Sequence, residues 1–193
     1  PEVVVVSPES PYKTIEDLIS AMKASPGKLK FAAASAPNFY GIQFSLQAGV
    51  NFVTVPFQGA APAMTEILGG RSDFGIYNPG EIKAQIEAGK LRALAVMAEK
   101  RVEGLKDVPT FKERGFNILC GTYRGIAVPP QTPESIVKQL EDAVAKAVVD
   151  PKFVDFMNKS YLGIDYRNSA DFKKLVEADM QVLQPVVESI NKK

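Results

Sequence analysis

Apolar residues along this chain fall alternately into short β-branched runs and into stretches with helical spacing. Val3-Val4-Val5-Val6 is a continuous run of the kind that fills a strand buried on both faces. Ser7-Pro8 stops it. Thr14-Ile15-Glu16-Asp17 has the spacing of a capping box and predicts a helix through about Ala24. Pro26-Gly27 then turns the chain into a strand from Leu29 to Ala33. A helix from about Asn38 to Gln47 follows, ended by Gly49. Next come a strand over Phe52–Val55, a helix from Pro62 to Leu68 closed by Gly69-Gly70, and a strand from Asp73 to Tyr77. Pro79 opens a helix that ends at Gly89, and Leu91–Met97 is another strand. Strands and helices alternating through short turns predict an α/β fold with a mostly parallel sheet covered by helices.

On such sheets ligands bind beyond the carboxyl ends of the strands. Those ends read Ala34-Ser35-Ala36-Pro37, Pro56-Phe57-Gln58-Gly59 and Tyr77-Asn78. The first two each carry a buried strand into the N-terminus of a helix, through small residues and prolines. A helix N-terminus presents unpaired N–H groups and partial positive charge. Two of them side by side make paired anion pockets without any charged side chain. The pattern points to capture of a small carboxylate.

After Val108-Pro109-Thr110 the texture changes. Thr122–Val128 reads as one more apolar strand. Pro129-Pro130-Gln131-Thr132-Pro133 then leads only into helices, with Thr132 as cap and Pro133 at the first helical position. Ile136, Leu140, Val144 and Val148 form one stripe at four-residue spacing. Pro151 starts a short helix to about Lys159. Residues 168–171 cap a long last helix containing Pro185, which predicts a kink. The two strands bracketing the alternating region read either as hinge crossings between two lobes or as parts of one α/β domain with a helical tail.

Composition narrows the chemistry. The chain has 193 residues, 46% of them hydrophobic, which suffices for a real core. Lys plus Arg number 23 against 22 Asp plus Glu, spread in mixed sign, so no basic patch marks a nucleic-acid surface. Histidine is absent, which removes histidine bases, triads and metal ligands. The single cysteine, Cys120, lies in an apolar run and reads as a structural thiol. No metal site and no cofactor are expected, and no P-loop or G-x-S-x-G elbow is present.

Several blocks together resemble one family. They are Pro26-Gly27-Lys28-Leu29, the Pro56…Gly59…Pro62-Ala63-Met64-Thr65 segment, Gly69-Gly70-Arg71-Ser72-Asp73 and residues 88–96. Asp107-Val108-Pro109-Thr110 and Gly125-Ile126-Ala127-Val128-Pro129 complete the series. In this order they resemble the solute-binding receptors of tripartite tricarboxylate transporters, the Bordetella uptake gene (Bug) family. The resemblance implies a periplasmic-binding-protein type II-like fold. Residues 7–121 would form one complete α/β lobe. Residues 1–6 and 122–193 would be hinge strands and the C-terminal part of the other lobe, whose N-terminal part is then not in this chain. It also implies a periplasmic location, transporter membrane subunits as partners and a ligand held in a cleft between lobes. Uncovered C-terminal helices would make a homo-oligomer one way to bury the stripe.

The ligand contacts expected on this basis are Ser35, Ala36, Asn38, Phe39, Tyr40, Gly59, Ala60, Tyr77 and Asn78. The first turn departs from the family pattern: Asn38 stands where serine is usual, and Pro37 where glycine is usual. Tyr40 and Gly41 flank the usual place of a histidine. Phe39 and Tyr40 either edge the pocket, which suits an apolar or aromatic acid, or pack the lobe core. Asp73 is expected as a structural hydrogen-bond acceptor. Arg124 is expected in an ion pair or in solvent, or as a carboxylate ligand. Two other classes stay open at this point: an effector-binding domain of a transcription regulator, and an α/β enzyme.

Overall fold

The computed structural model describes residues 1–191. They divide into two compact units, 1–122 and 123 onward. The first holds five strands: β1 (Val3–Val6), β2 (Lys30–Ala33), β3 (Val53–Pro56), β4 (Phe74–Tyr77) and β5 (Arg92–Val96). They form one sheet in the order β3-β2-β4-β1-β5. Four helices connect them: α1 (Ile15–Ala24), α2 (Phe39–Ala48), α3 (Ala60–Leu68) and α4 (Pro79–Glu87). The α/β class is therefore as expected, and the expected lobe lies within the first unit, which also contains β1.

Four of the five strands run the same way, as expected of a mostly parallel sheet, and β1 alone is reversed. β2 pairs in parallel with both β3 and β4, but β1 pairs antiparallel with β4 and with β5. A valine run encodes burial on both faces and says nothing about direction. The burial itself is complete, since all four valines have no exposed surface. β3 also departs from the expected buried strand. It is an edge strand, and Val53 remains 45% exposed. Its Pro56 has no N–H to offer a further neighbour, which suits an edge.

Local chemistry accounts for the helix limits. Thr14 caps α1 and accepts from Asp17 N–H, while the Asp17 carboxylate accepts from Thr14 N–H at 2.9 Å. Asn38 caps α2 by accepting from Gly41 N–H at 2.9 Å. Gly49 ends α2 in the left-handed conformation that glycine adopts at little cost. α3 starts at Ala60, two residues before the expected Pro62.

An aromatic cluster fills one side of the sheet. Phe31, Phe44, Phe52 and Phe74 meet with ring centroids 5.1–6.2 Å apart, and Phe111 joins through Phe44. α2 lies directly on this cluster. A Cβ on Gly41 would stand 2.3 Å from the Phe31 ring, so only glycine lets the first turn of α2 approach β2 this closely. Asp73 is a structural acceptor, as expected. Its carboxylate takes Lys30 N–H at 2.7 Å and its own N–H reaches Lys30 O, which ties the start of β4 to β2.

The second unit is helical: α5 (Glu134–Ala147), α6 (Pro151–Lys159) and α7 (Ser169–Asn191), the last running through Pro185. Pro133 is the N-cap of α5 and makes no side-chain cap bond, so Thr132 does not cap it as expected. The expected strand at 122–128 is not formed among the described residues. Instead Tyr123 meets Phe172 of α7 edge to face at 5.4 Å, and Gly125 lies against the same ring. An apolar run becomes a strand only where a partner ladder is at hand, and here the side chains pack on a helix. The stripe on α5 is only partly covered: Ile136 is exposed and Leu140, Val144 and Val148 are half-buried. Arg124 is exposed and makes no ion pair among the described residues.

Gly41→Ala should lower stability by about 1–3 kcal/mol, because the added Cβ meets a Phe31 ring that is fully buried and packed against Phe52 and Phe74. Urea unfolding checks this; an unchanged midpoint would mean that α2 does not sit on Phe31 as described.

Candidate functional site

The carboxyl ends of β2, β3, β4 and β5 share one edge of the sheet. Ala33 is in register with Pro56, and Val3 with both Tyr77 and Val96. From β2 the chain passes first to β3 on one side, then through α3 to β4 on the other. β2 is therefore the switch point at which open α/β sheets hold ligands.

Two hydrogen bonds extend the β2–β3 pairing past the strand ends. Phe57 N–H donates to Ala33 O at 2.8 Å, and Gly59 N–H to Ala34 O at 3.0 Å. They bring the turn before α2 and the turn before α3 together. Gly59 has φ +109°, in the region that favours glycine, and the place its Cβ would take is open. No side chain caps α3. Helix geometry leaves the N–H groups of Ala60 and Ala61 without intrahelical acceptors, and Pro62 has none. At α2, Asn38 satisfies Gly41 and leaves the N–H groups of Phe39 and Tyr40. Neither first turn carries an acidic residue. The two ends thus offer four backbone donors in an electropositive setting.

α4 is arranged in the opposite way. Asn78 and Glu81 form a reciprocal capping box, and Pro79 removes one donor. Its end is satisfied by the protein's own carboxylate, so of the three helix ends at this edge only α2 and α3 remain receptive to an outside anion.

The expected contact residues spread over this edge. Ser35 and Ala36 are exposed; the Ser35 hydroxyl donates to Pro37 O at 3.2 Å and faces the Asn38 amide at 3.5 Å. Asn38 is buried as the cap. Phe39 is 44% exposed at the edge. Tyr40 is half-buried against the core, with its hydroxyl 3.0 Å from Thr122 Oγ1. Gly59 and Ala60 stand at the start of α3. Tyr77 is buried, and its hydroxyl donates to Ala32 O at 3.0 Å, so it approaches the edge through its backbone. Burial also pushes its phenol well up. Asn78 caps α4 beside it. Cys120 is half-buried, with its sulfur 2.9 Å from Gln43 Oε1.

Sequence reasoning missed Glu2. Its side chain is 1% exposed at this same edge. It accepts from Thr122 Oγ1 at 3.2 Å and from the Asn78 side chain. Burial pushes its carboxyl up to about 7, against the opposing pull of the Thr122 and Asn78 hydrogen bonds; nearby Glu81 adds to the rise. The available signal was a lone charged residue directly before a fully buried valine strand. Among the described residues no group of histidine, cysteine and carboxylates is placed to hold a metal ion.

The profile of the tripartite tricarboxylate transporter family receptor matches residues 1–192. The chain belongs to that family. A protein encoded in the gbd 5′ region of Cupriavidus necator is 28% identical over 97% of the chain and 58% of its own length. A TctC solute-binding protein from Polaromonas, solved without ligand, superposes with a TM-score of 0.87 at 31% identity, over 98% of this chain and 66% of that one. An R. palustris protein solved with adipate gives a TM-score of 0.81 at 26% identity, over 97% and 64%. The chain therefore spans about three fifths to two thirds of the length of these relatives.

Glu2 generates a pH prediction for the fold itself. Its folded value, about 7, is raised above the ordinary 4.5. Its contribution to stability is thus full below about 4.5 and is lost as pH rises through about 7. Denaturant unfolding should show stability declining over that window, with Glu2→Gln flattening the decline. An equal decline in Glu2→Gln would assign it to another group.

Proposed function

We propose that this protein is an extracytoplasmic receptor that captures a small carboxylate, without chemistry, for the membrane subunits of a tripartite tricarboxylate-type transporter in the periplasm. One observation carries the reading: two helix ends, each with unsatisfied N–H donors and no acid of its own, held together by the Gly59–Ala34 hydrogen bond. Membership of the receptor family and the likeness to a protein solved with adipate support the ligand class. The contacts we assign are the turn Ser35, Ala36, Asn38, Phe39 and Tyr40, the turn Gly59 and Ala60, and the rim at Tyr77 and Asn78. A transcription-regulator effector domain or an enzyme is not favoured by any of these features.

The energies are of the right size. Micromolar binding requires about 8 kcal/mol. Charge-assisted hydrogen bonds contribute roughly 1.5–3 kcal/mol each. Four of them give roughly 6–12 kcal/mol before an association cost of about 4–15 kcal/mol. These donors alone hold a dicarboxylate weakly, and tight capture requires further contacts that exclude water.

Gly59→Asp should weaken adipate binding at least tenfold in calorimetry, because the new carboxylate occupies the open space before α3. Gly59→Ala reports the backbone strain alone and should lose less. Equal, unchanged affinity in both would remove this turn from the site.

The aromatic pair generates a selectivity prediction. With Phe39 and Tyr40 at the rim, Tyr40→Ala should weaken an aromatic acid more than adipate. Equal losses in a folded variant would return both residues to a packing role.

A further inference from the structure

Glu2 is a buried acid placed where an anion is expected to bind. Its burial is geometric before it is electrostatic. Val3 is locked between β4 and β5, so the preceding residue must lie at the carboxyl edge of the sheet. There its backbone is held on both sides, with Glu2 N–H donating to Cys120 O at 2.9 Å and Met97 N–H to Glu2 O at 2.8 Å. The side chain is thus fixed between the capping residue of α4 and the segment that ends at Thr122.

A line of donors converges on it. While Glu2 is ionised, Thr122 directs its one hydroxyl proton to Glu2 Oε1 at 3.2 Å, and in the 3.0 Å contact between Tyr40 and Thr122 the tyrosine is then the donor. Tyr40 is the second residue of α2 and one of the backbone donors of the proposed site. Two hydrogen bonds therefore link the anion-receptive end of α2 to the Glu2 carboxyl. No lysine or arginine pairs with Glu2 among the described residues.

We propose that Glu2 is a ligand-coupled proton site: a carboxylate bound at the N-termini of α2 and α3 is taken together with a proton on Glu2. This rests on the anion site proposed above. The balance is simple. One proton moves from solvent to the Glu2 carboxylate as one anion binds, no covalent bond of the ligand changes, and the added negative charge at this edge is offset.

The groups facing Glu2 are few. Glu81 on α4 favours its protonated form, while Thr122 and Asn78 favour the ionised form. Tyr40 on α2 has its own phenol raised, first by burial, and does not ionise near neutral pH. Cys120 lies beside Tyr40 on the segment that pairs with Glu2. Burial places the free-state midpoint of Glu2 near 7, where a neighbouring charge has most leverage. Two unit charges ~10 Å apart at an effective permittivity of ~20 alter each other's binding roughly tenfold. Linkage then makes proton uptake largest between the free and the ligand-bound midpoints.

Calorimetry of adipate binding from about pH 6.5 to 8.5, in two buffers of different ionisation heat, reads this uptake directly. The expected result is roughly half a proton taken up near pH 7.5, with affinity falling roughly tenfold across the range. Glu2→Gln should abolish the uptake and flatten the affinity. Thr122→Val removes a bond that favours the ionised form, so it should move the window to higher pH, and it keeps the test open should Glu2→Gln not fold. Binding without proton uptake, uptake that persists in Glu2→Gln, or an unmoved window in Thr122→Val would each overturn the coupling alone. No adipate binding by any variant at any pH would overturn the anion site and the coupling with it.

Discussion

The site depends on the extension of the β2–β3 ladder beyond both strands. Phe57 and Gly59 donate to Ala33 and Ala34, so two turns that are 20 or more residues apart in sequence become one surface. Each helix that follows is then obliged to start at that surface. The Phe31 ring under Gly41 fixes how close α2 comes, and the positive φ of Gly59 fixes how α3 begins. Neither requirement concerns a ligand directly. Together they aim four backbone donors outward from one place.

Electrostatic asymmetry gives that surface a preference. α4 ends at the same edge, but Glu81 closes its N-terminus and Glu2 lies against its capping Asn78. α2 and α3 carry no acid in the first turn. The protein thus places its own carboxylates at one helix end and leaves the other two without an acid of their own. The chain belongs to the tripartite tricarboxylate transporter family receptors, and its backbone superposes on a TctC solute-binding protein over 98% of its length.

Much of this was legible beforehand, for identifiable reasons. The Val3–Val6 run is buried on every residue, and the Thr14–Asp17 capping box starts α1 where its spacing requires. Local rules decide such features. The direction of β1 was not legible, because strand composition reports burial and not polarity. β3 was expected to be buried and lies at the sheet edge, since apolar content does not say how many neighbours a strand has. Residues 122–128 satisfy strand propensity but found a helix, through Tyr123 and Phe172, instead of a ladder. Glu2 was invisible because its importance comes from Thr122, 120 residues away, and no spacing rule reaches so far.

The central claim is that the α2 and α3 ends, and not the α4 end, take the anion. Titration of the 15N-labelled protein with adipate, followed by backbone amide NMR, tests it most directly. The account predicts saturable shifts at the amides of Phe39, Tyr40, Ala60 and Ala61, with Gly80 and Glu81 of α4 moving far less. Shifts centred on the start of α4, or saturable binding that leaves the amides of α2 and α3 unmoved, would contradict it.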